Sequence, residues 1–134
     1  MLVIKPIQDK AVQRKLVEAC GGTYDETAFA YCAKDCEDDG ETLRHLIGVC
    51  QFTLLRGKGV IQHLRAFPNV EDDEALMIMC RAAMSFLFRC AAETAEFCED
   101  NPALAEKLDF LADADGRRII DLKRFYGSPC HYRA

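Results

Sequence analysis

The hydrophobic period of this chain changes at Asp72, and that change limits the folds open to it. Upstream, Thr42–Leu55 and Val60–Phe67 read as β-type runs separated by Arg56-Gly57-Lys58-Gly59, a hairpin signal with glycines available for positive φ. From Asp72 onward the apolar residues recur every three or four positions. Ala75, Leu76, Met79, Cys80, Ala83, Phe86, Leu87 and Cys90 mark one face, and Met77, Ile78, Met84 and Phe88 thicken it. A helix apolar over so wide an arc has to be substantially buried, so it is expected to be the central helix of the fold.

The flanks supply the rest of the architecture. Leu2–Ile7 is a short β-rich run. Asp9 then stands before Ala11, Val12, Leu16, Val17 and Ala19, which repeat at helical spacing and stop at Gly21-Gly22. Ala28–Lys34 alternates with Phe29 and Tyr31 on one side and runs into an acidic turn, Asp35–Gly40. Beyond the central helix, Glu93–Cys98 reads as a strand, and Asn101-Pro102 supplies an N-cap and a proline at N1 for a helix through Leu108. Phe110–Ala114 and Arg117–Lys123, joined by Asp115-Gly116, form a last hairpin. The order β-α-β-β-β-α-β-α-β-β mixes hairpins with crossover helices. It predicts an α/β fold with a mixed sheet of six or seven strands flanked by helices. With 134 residues, half of them hydrophobic, the chain is expected to form one domain over 1–134 around one core.

Charge and composition remove several function classes. Seventeen Lys and Arg against 22 Asp and Glu leave a net charge of −5, which disfavours a general nucleic-acid binder. No apolar stretch approaches the ~20 residues of a membrane span, and Met1–Lys10 lacks the features of a secretory leader, so a cytoplasmic, unprocessed protein is expected. Most of the eight cysteines lie in apolar periodic segments and read as free, buried thiols. Cys32 and Cys36 have no second ligand pair at matching distance, so no structural metal is expected. Met77, Met79 and Met84 read as core filling, and Asp35–Glu41 as a solvated loop. In Cys130-His131, neighbouring side chains of extended chain point apart and no third orienting group is identifiable.

The element order resembles that of the GNAT acetyltransferase superfamily. So do the phrases Ile47-Gly48-Val49-Cys50-Gln51-Phe52, Val60-Ile61-Gln62-His63-Leu64-Arg65-Ala66-Phe67-Pro68 and Leu104-Ala105-Glu106-Lys107-Leu108-Asp109-Phe110. In that family the fourth and fifth strands splay apart and the pantetheine arm of acetyl-CoA lies in the gap against the fourth. The resemblance therefore implies acetyl-CoA as cofactor, an amine or other small ligand as partner, Leu64, Arg65 and Ala66 along the pantetheine arm, and a homodimer as one assembly. It also implies Gln62 and His63 as the candidate general-base region. A histidine has the unperturbed pKa to take a proton from an amine near neutrality, although a structural histidine bonded to a neighbour is the blander reading.

The resemblance stops at the loop that holds the pyrophosphate. The family pattern Gln/Arg-x-x-Gly-x-Gly/Ala falls here on Glu71-Asp72-Asp73-Glu74-Ala75-Leu76, which puts Glu71 at the basic position, and Glu74 and Leu76 at the glycines. Carboxylates in the first turn stabilise the helix dipole themselves and repel a pyrophosphate. Arg56-Gly57-Lys58-Gly59 cannot replace this loop, because it lies between strands and not before a helix. The family tyrosine that protonates the leaving thiolate is replaced by Ala105, and the glycine that follows it by Asp109. Tyr126 or Tyr132 would serve only if the tail folded back. Two functions therefore stand: an acetyl-CoA-dependent N-acetyltransferase with a degenerate cofactor loop, or a non-catalytic binding or assembly module on the same fold.

Overall fold

The computed structural model describes residues 1–127. Its elements are β1 (Leu2–Pro6), α1 (Lys10–Ala19), β2 (Phe29–Cys36), β3 (Leu43–Leu55), β4 (Lys58–Ala66), α2 (Asp73–Arg89), β5 (Thr94–Phe97), α3 (Pro102–Lys107), β6 (Leu111–Ala112), β7 (Arg118–Asp121) and α4 (Leu122–Gly127). The seven strands form one sheet in the order β1-β2-β3-β4-β5-β7-β6. Among the described residues only β4 and β5 pair in parallel; every other pair is antiparallel. The mixed α/β architecture expected from the sequence is the one observed.

The differences lie at the element ends. The Arg56-Gly57 turn is tighter than the four-residue signal implied, because both residues have positive φ (52° and 76°), and Lys58 and Gly59 already pair in the ladder. That is the two-residue turn whose twist matches flanking strands. At the other end, β2 runs through Asp35 to Cys36, so the acidic turn starts later than expected. The final run is not all strand: from Leu122 it becomes α4, with the Arg124 N–H bonded by the Asp121 carboxylate at 2.9 Å. Ile119, Ile120 and Leu122 in Arg117–Lys123 fit a strand pattern, but the Asp121 cap decides for a helix.

α2 lies across the sheet and builds the core. Met79, Cys80, Ala83, Met84 and Leu87 are buried against Cys50, Phe52, Ile61 and Leu64 of the central strands. The other face of the same strands belongs to α1, since side chains alternate along β3 and Gln51, between Cys50 and Phe52, meets Gln13 of α1. Cys90, expected on the buried face, is instead the exposed C-cap of α2. Cys98 is exposed as well, while Cys32, Cys36, Cys50 and Cys80 are buried; all seven cysteines among the described residues are free. No helix among the described residues is long and apolar enough to cross a membrane.

Two glycines set how closely α2 can approach. A Cβ on Gly48 would stand 2.5 Å from the Arg65 carbonyl oxygen and 2.8 Å from Leu76 Cδ2, beneath the first turn of the helix. One on Gly59 would stand 2.6 Å from Leu87 Cδ1, beneath its last turn. The helix is thus let down onto the sheet at both ends. Gly48→Ala forces a backbone shift and is expected to cost about 2 kcal/mol, in the range of core overpacking. Urea unfolding measures it, and an unchanged midpoint would show that the helix is not held this close.

Candidate functional site

The site forms where β4 parts from β5. Pairing ends at Ile61 with Phe97, and the Cys98 N–H then donates to the Ile61 carbonyl at 2.9 Å. At the same level β3 opposes Gln51 to His63 but Phe52 to Ile61, so Gln62 is an extra, bulged residue in β4. Bulges re-aim side chains and end pairings. Beyond this point the β5 side of β4 has no strand partner, and its N–H groups need acceptors from elsewhere.

Glu99 supplies one. Its Oε2 accepts the Leu64 N–H at 3.0 Å and Arg65 Nε at 2.7 Å, while Oε1 accepts Arg65 Nη2 at 3.0 Å. The Glu99 side chain is only 7% exposed. Arg65 also donates through Nη1 to the Gly21 carbonyl at 2.6 Å, which ties the end of α1 to the same point. Burial by itself pushes the Glu99 carboxyl up. The hydrogen bonds from Arg65 and Leu64, with the nearby positive charge, outweigh it and hold the carboxyl below its ordinary value. The gap that the family resemblance gives to pantetheine is here filled by the chain's own carboxylate.

His63 and Gln62 face the neighbouring groove as parts of a network. The Thr23 N–H donates to His63 Nε2 at 2.9 Å, which assigns the imidazole proton to Nδ1. Nδ1 is buried without a hydrogen-bond partner, 3.6 Å from Glu99 Oε2. In this arrangement neither nitrogen offers a lone pair to a ligand, so His63 acts as the clasp of the Thr23 loop. Gln62 is the last amide in a directed chain. Lys10 Nζ donates to Gln13 Oε1 (3.1 Å), Gln13 Nε2 to Gln51 Oε1 (3.1 Å), Gln51 Nε2 to Gln62 Oε1 (3.0 Å) and Gln62 Nε2 to Asp25 Oδ2 (2.8 Å). Every dipole points the same way, from an ammonium to a carboxylate, so each bond polarises the next. Asp25 is held below its usual range, chiefly by the Thr27 hydroxyl and then by Gln62.

Thr23, Tyr24, Asp25, Glu26, Gln62 and His63 line an open groove of about 730 Å³ beside this network. Tyr126 is not among them. It lies on α4 and stacks on Phe88 of α2 with ring centroids 4.9 Å apart. Tyr132, Cys130 and His131 lie outside the described residues.

The cofactor loop is as unlike a phosphate cradle in space as in sequence. Asp72 caps α2, its carboxylate accepting the Ala75 N–H at 3.0 Å, and Asp73 and Glu74 occupy the first turn. None of Glu71, Asp72, Asp73 and Glu74 has a cation within 4 Å among the described residues. Ala75 and Leu76 are buried beneath the helix, and Ala66 closes β4 opposite Gly48. Of the donors acetyl-CoA would need, the Leu64 N–H is taken by Glu99 and the Ala75 N–H by Asp72. The residues present do not fit the cofactor.

Reading the residues in order puts Gln62, His63, Leu64 and Arg65 on one strand, as β4 has them, but does not reach Glu99, Thr23, Asp25 or the buried Gln13–Gln51 pair beside them. A signal existed for two of them. Gln51 interrupts an otherwise apolar strand, and Glu99 sits just past the carboxyl end of a strand that pairs in parallel, where crevices form. Asp109, at the position of the family glycine, has φ 68°, the left-handed conformation that glycine adopts freely.

Because Glu99 is held below its ordinary value of 4.5, its contribution to stability is complete above about pH 4.5 and is lost as the pH falls through the lower folded-state value. Glu99→Gln should cost roughly 2 kcal/mol at pH 7, since one partner of a buried pair is lost while Arg65 keeps some solvent. The gap between the two proteins should narrow below about pH 4. A gap independent of pH in urea unfolding would contradict the ion pair.

Compared by sequence, the chain matches no family model and no curated protein. Solved structures do match. An IAA acetyltransferase from Bacillus cereus superposes with a TM-score of 0.66 at 19% identity, over 85% of this chain and 79% of that one. The spermidine N-acetyltransferase of Vibrio cholerae, a dodecamer, gives 0.66 at 11% identity over 92% and 95%. The ribosomal-protein-S18-alanine N-acetyltransferase of Escherichia coli gives 0.58 at 10% identity over 89% of each chain. Identities this low carry the fold and nothing finer, and on that ground the chain has the GNAT acetyltransferase fold in a divergent form.

Proposed function

We propose that this chain is a binding module on the acetyltransferase fold that works without acetyl-CoA and takes a small amine-bearing ligand in the groove beside Gln62. One observation carries the reading: the Glu99 carboxylate sits on the Leu64 N–H, in the gap where a pantetheine arm would lie. The acidic first turn of α2 supports it, because a pyrophosphate there meets like charges at a cost of a few kcal/mol. The groove keeps carboxylates, Asp25 and Glu26, that attract a cationic amine.

A second reading, an acetyl-CoA-dependent N-acetyltransferase acting on such an amine, is favoured by the bulge at Gln62, which turns β4 toward the groove at the level where β4 and β5 part. It requires Glu99 and Arg65 to leave the gap before the cofactor enters.

Calorimetric titration with acetyl-CoA separates the two. The wild-type chain should give no binding at physiological salt. The triple variant Glu71→Arg, Glu74→Gly and Glu99→Ala should gain measurable affinity, because it frees the Leu64 N–H and removes repulsion at the helix end, and the gain should shrink as salt rises. Micromolar binding by the wild type, with acetyl transfer to an amine, would establish the enzyme reading instead.

A further inference from the structure

A second cavity lies between β2, the start of α1 and the end of α2, and it is built differently. Phe29 opens β2 and pairs with Phe52 near the end of β3; Phe86 lies in the last turns of α2. The rings of Phe29, Phe52, Phe86 and Tyr31 pack in one cluster, with centroids 5.1 to 5.7 Å apart. They wall a cavity of about 410 Å³, of a size that holds small organic ligands. Phe52 is fully buried, yet Phe29 in the same cluster is 46% exposed. A phenylalanine half in water against two partner rings leaves apolar surface that a ligand could cover.

The rim carries the polar recognition. Lys10 borders the cavity, and its ammonium is held in place by Gln13 Oε1 and the Ala28 carbonyl, both neutral. No carboxylate lies within 4 Å of it among the described residues. Glu26 also borders the opening, but no hydrogen bond from the described residues fixes its side chain. The fixed charge at the mouth is therefore positive. A preorganised cation over an apolar floor selects a ligand with the reverse pattern, because its position needs no ordering on binding.

We propose that the cavity walled by Phe29, Tyr31, Phe52 and Phe86 binds a small carboxylic acid with an aromatic or branched apolar body, the body against the rings and the carboxylate on Lys10. Of its lining residues only Glu26 is shared with the Gln62 groove, and the proposal holds whether or not acetyl-CoA binds. No bond forms or breaks; the event is binding alone.

Titrating isotope-labelled full-length protein with 3-phenylpropionate, 3-phenylpropanamide and 3-phenylpropylamine at pH 7, with amide shifts as the readout, tests the idea. The three probes share a body and differ in charge. The acid should shift Lys10, Ala28, Phe29 and Tyr31 and bind at least tenfold more tightly than the amide, with the amine weakest. Lys10→Gln should bring the acid down to the amide's affinity with the fold intact, since glutamine keeps a donor for Ala28. Phe29→Ala, at an exposed position, should weaken acid and amide alike. Tighter binding of the amine would mean a cation held by the rings and by Glu26, and would overturn the proposal. Equal affinity for all three, or shifts confined to the Gln62 groove, or none at millimolar acid, would overturn it too.

Discussion

Two parallel strands that stop pairing midway leave backbone donors in a partly buried gap, and those donors have to be satisfied. Much of the arrangement around β4 follows from how the chain meets that demand. Glu99, just past the end of β5, turns its carboxylate back onto the Leu64 N–H, and Arg65 then neutralises the charge through a two-pronged contact. A carboxylate that is 93% out of solvent would be costly alone; paired and hydrogen-bonded it is tolerated. The same arginine reaches the Gly21 carbonyl, so the closure of the gap also fixes the end of α1 and the loop behind it.

That loop is the second half of the design. Residues 23–27 have little apolar contact to hold them, and polar bonds do the positioning instead. His63 accepts from Thr23, Gln51 donates to the Thr23 carbonyl, and Gln62 donates to Asp25. Gln13 and Gln51 are fully buried. Amides buried at that depth must satisfy one another, and their chain links the Lys10 rim of one cavity to the Asp25 side of the other. Whatever occupies the groove meets a surface set by strand β4 and not by a free loop.

The sequence reading reached the architecture because hydrophobic period and turn chemistry both act locally. The α2 face, the Arg56-Gly57 turn, the Asp9 and Asn101 caps and the Asp72 start are each written within a few residues, and each appears in the fold. It missed α4 because a short apolar run satisfies either period, and the Asp121 carboxylate that settles the matter is one residue among seven. The acidic first turn of α2 was legible, since charge and the absence of glycine are properties of the residues themselves. Glu99 was not, because its partners lie 34 and 35 residues away and only the splay of β4 from β5 brings them together. The role expected of His63 depended likewise on Thr23, which is 40 residues distant and holds Nε2.

The central claim is that the Leu64 N–H is bonded to an ionised Glu99 in the gap, and the Leu64 amide reports on it directly. Its proton and nitrogen shifts, followed from neutral pH into the acid range, should titrate with a midpoint below the ordinary glutamate value of 4.5. The amide should exchange slowly with solvent until that midpoint is passed, and the titration should vanish in Glu99→Gln. A Leu64 amide that exchanges freely at neutral pH, with shifts indifferent to the state of Glu99, would mean that the gap stands open.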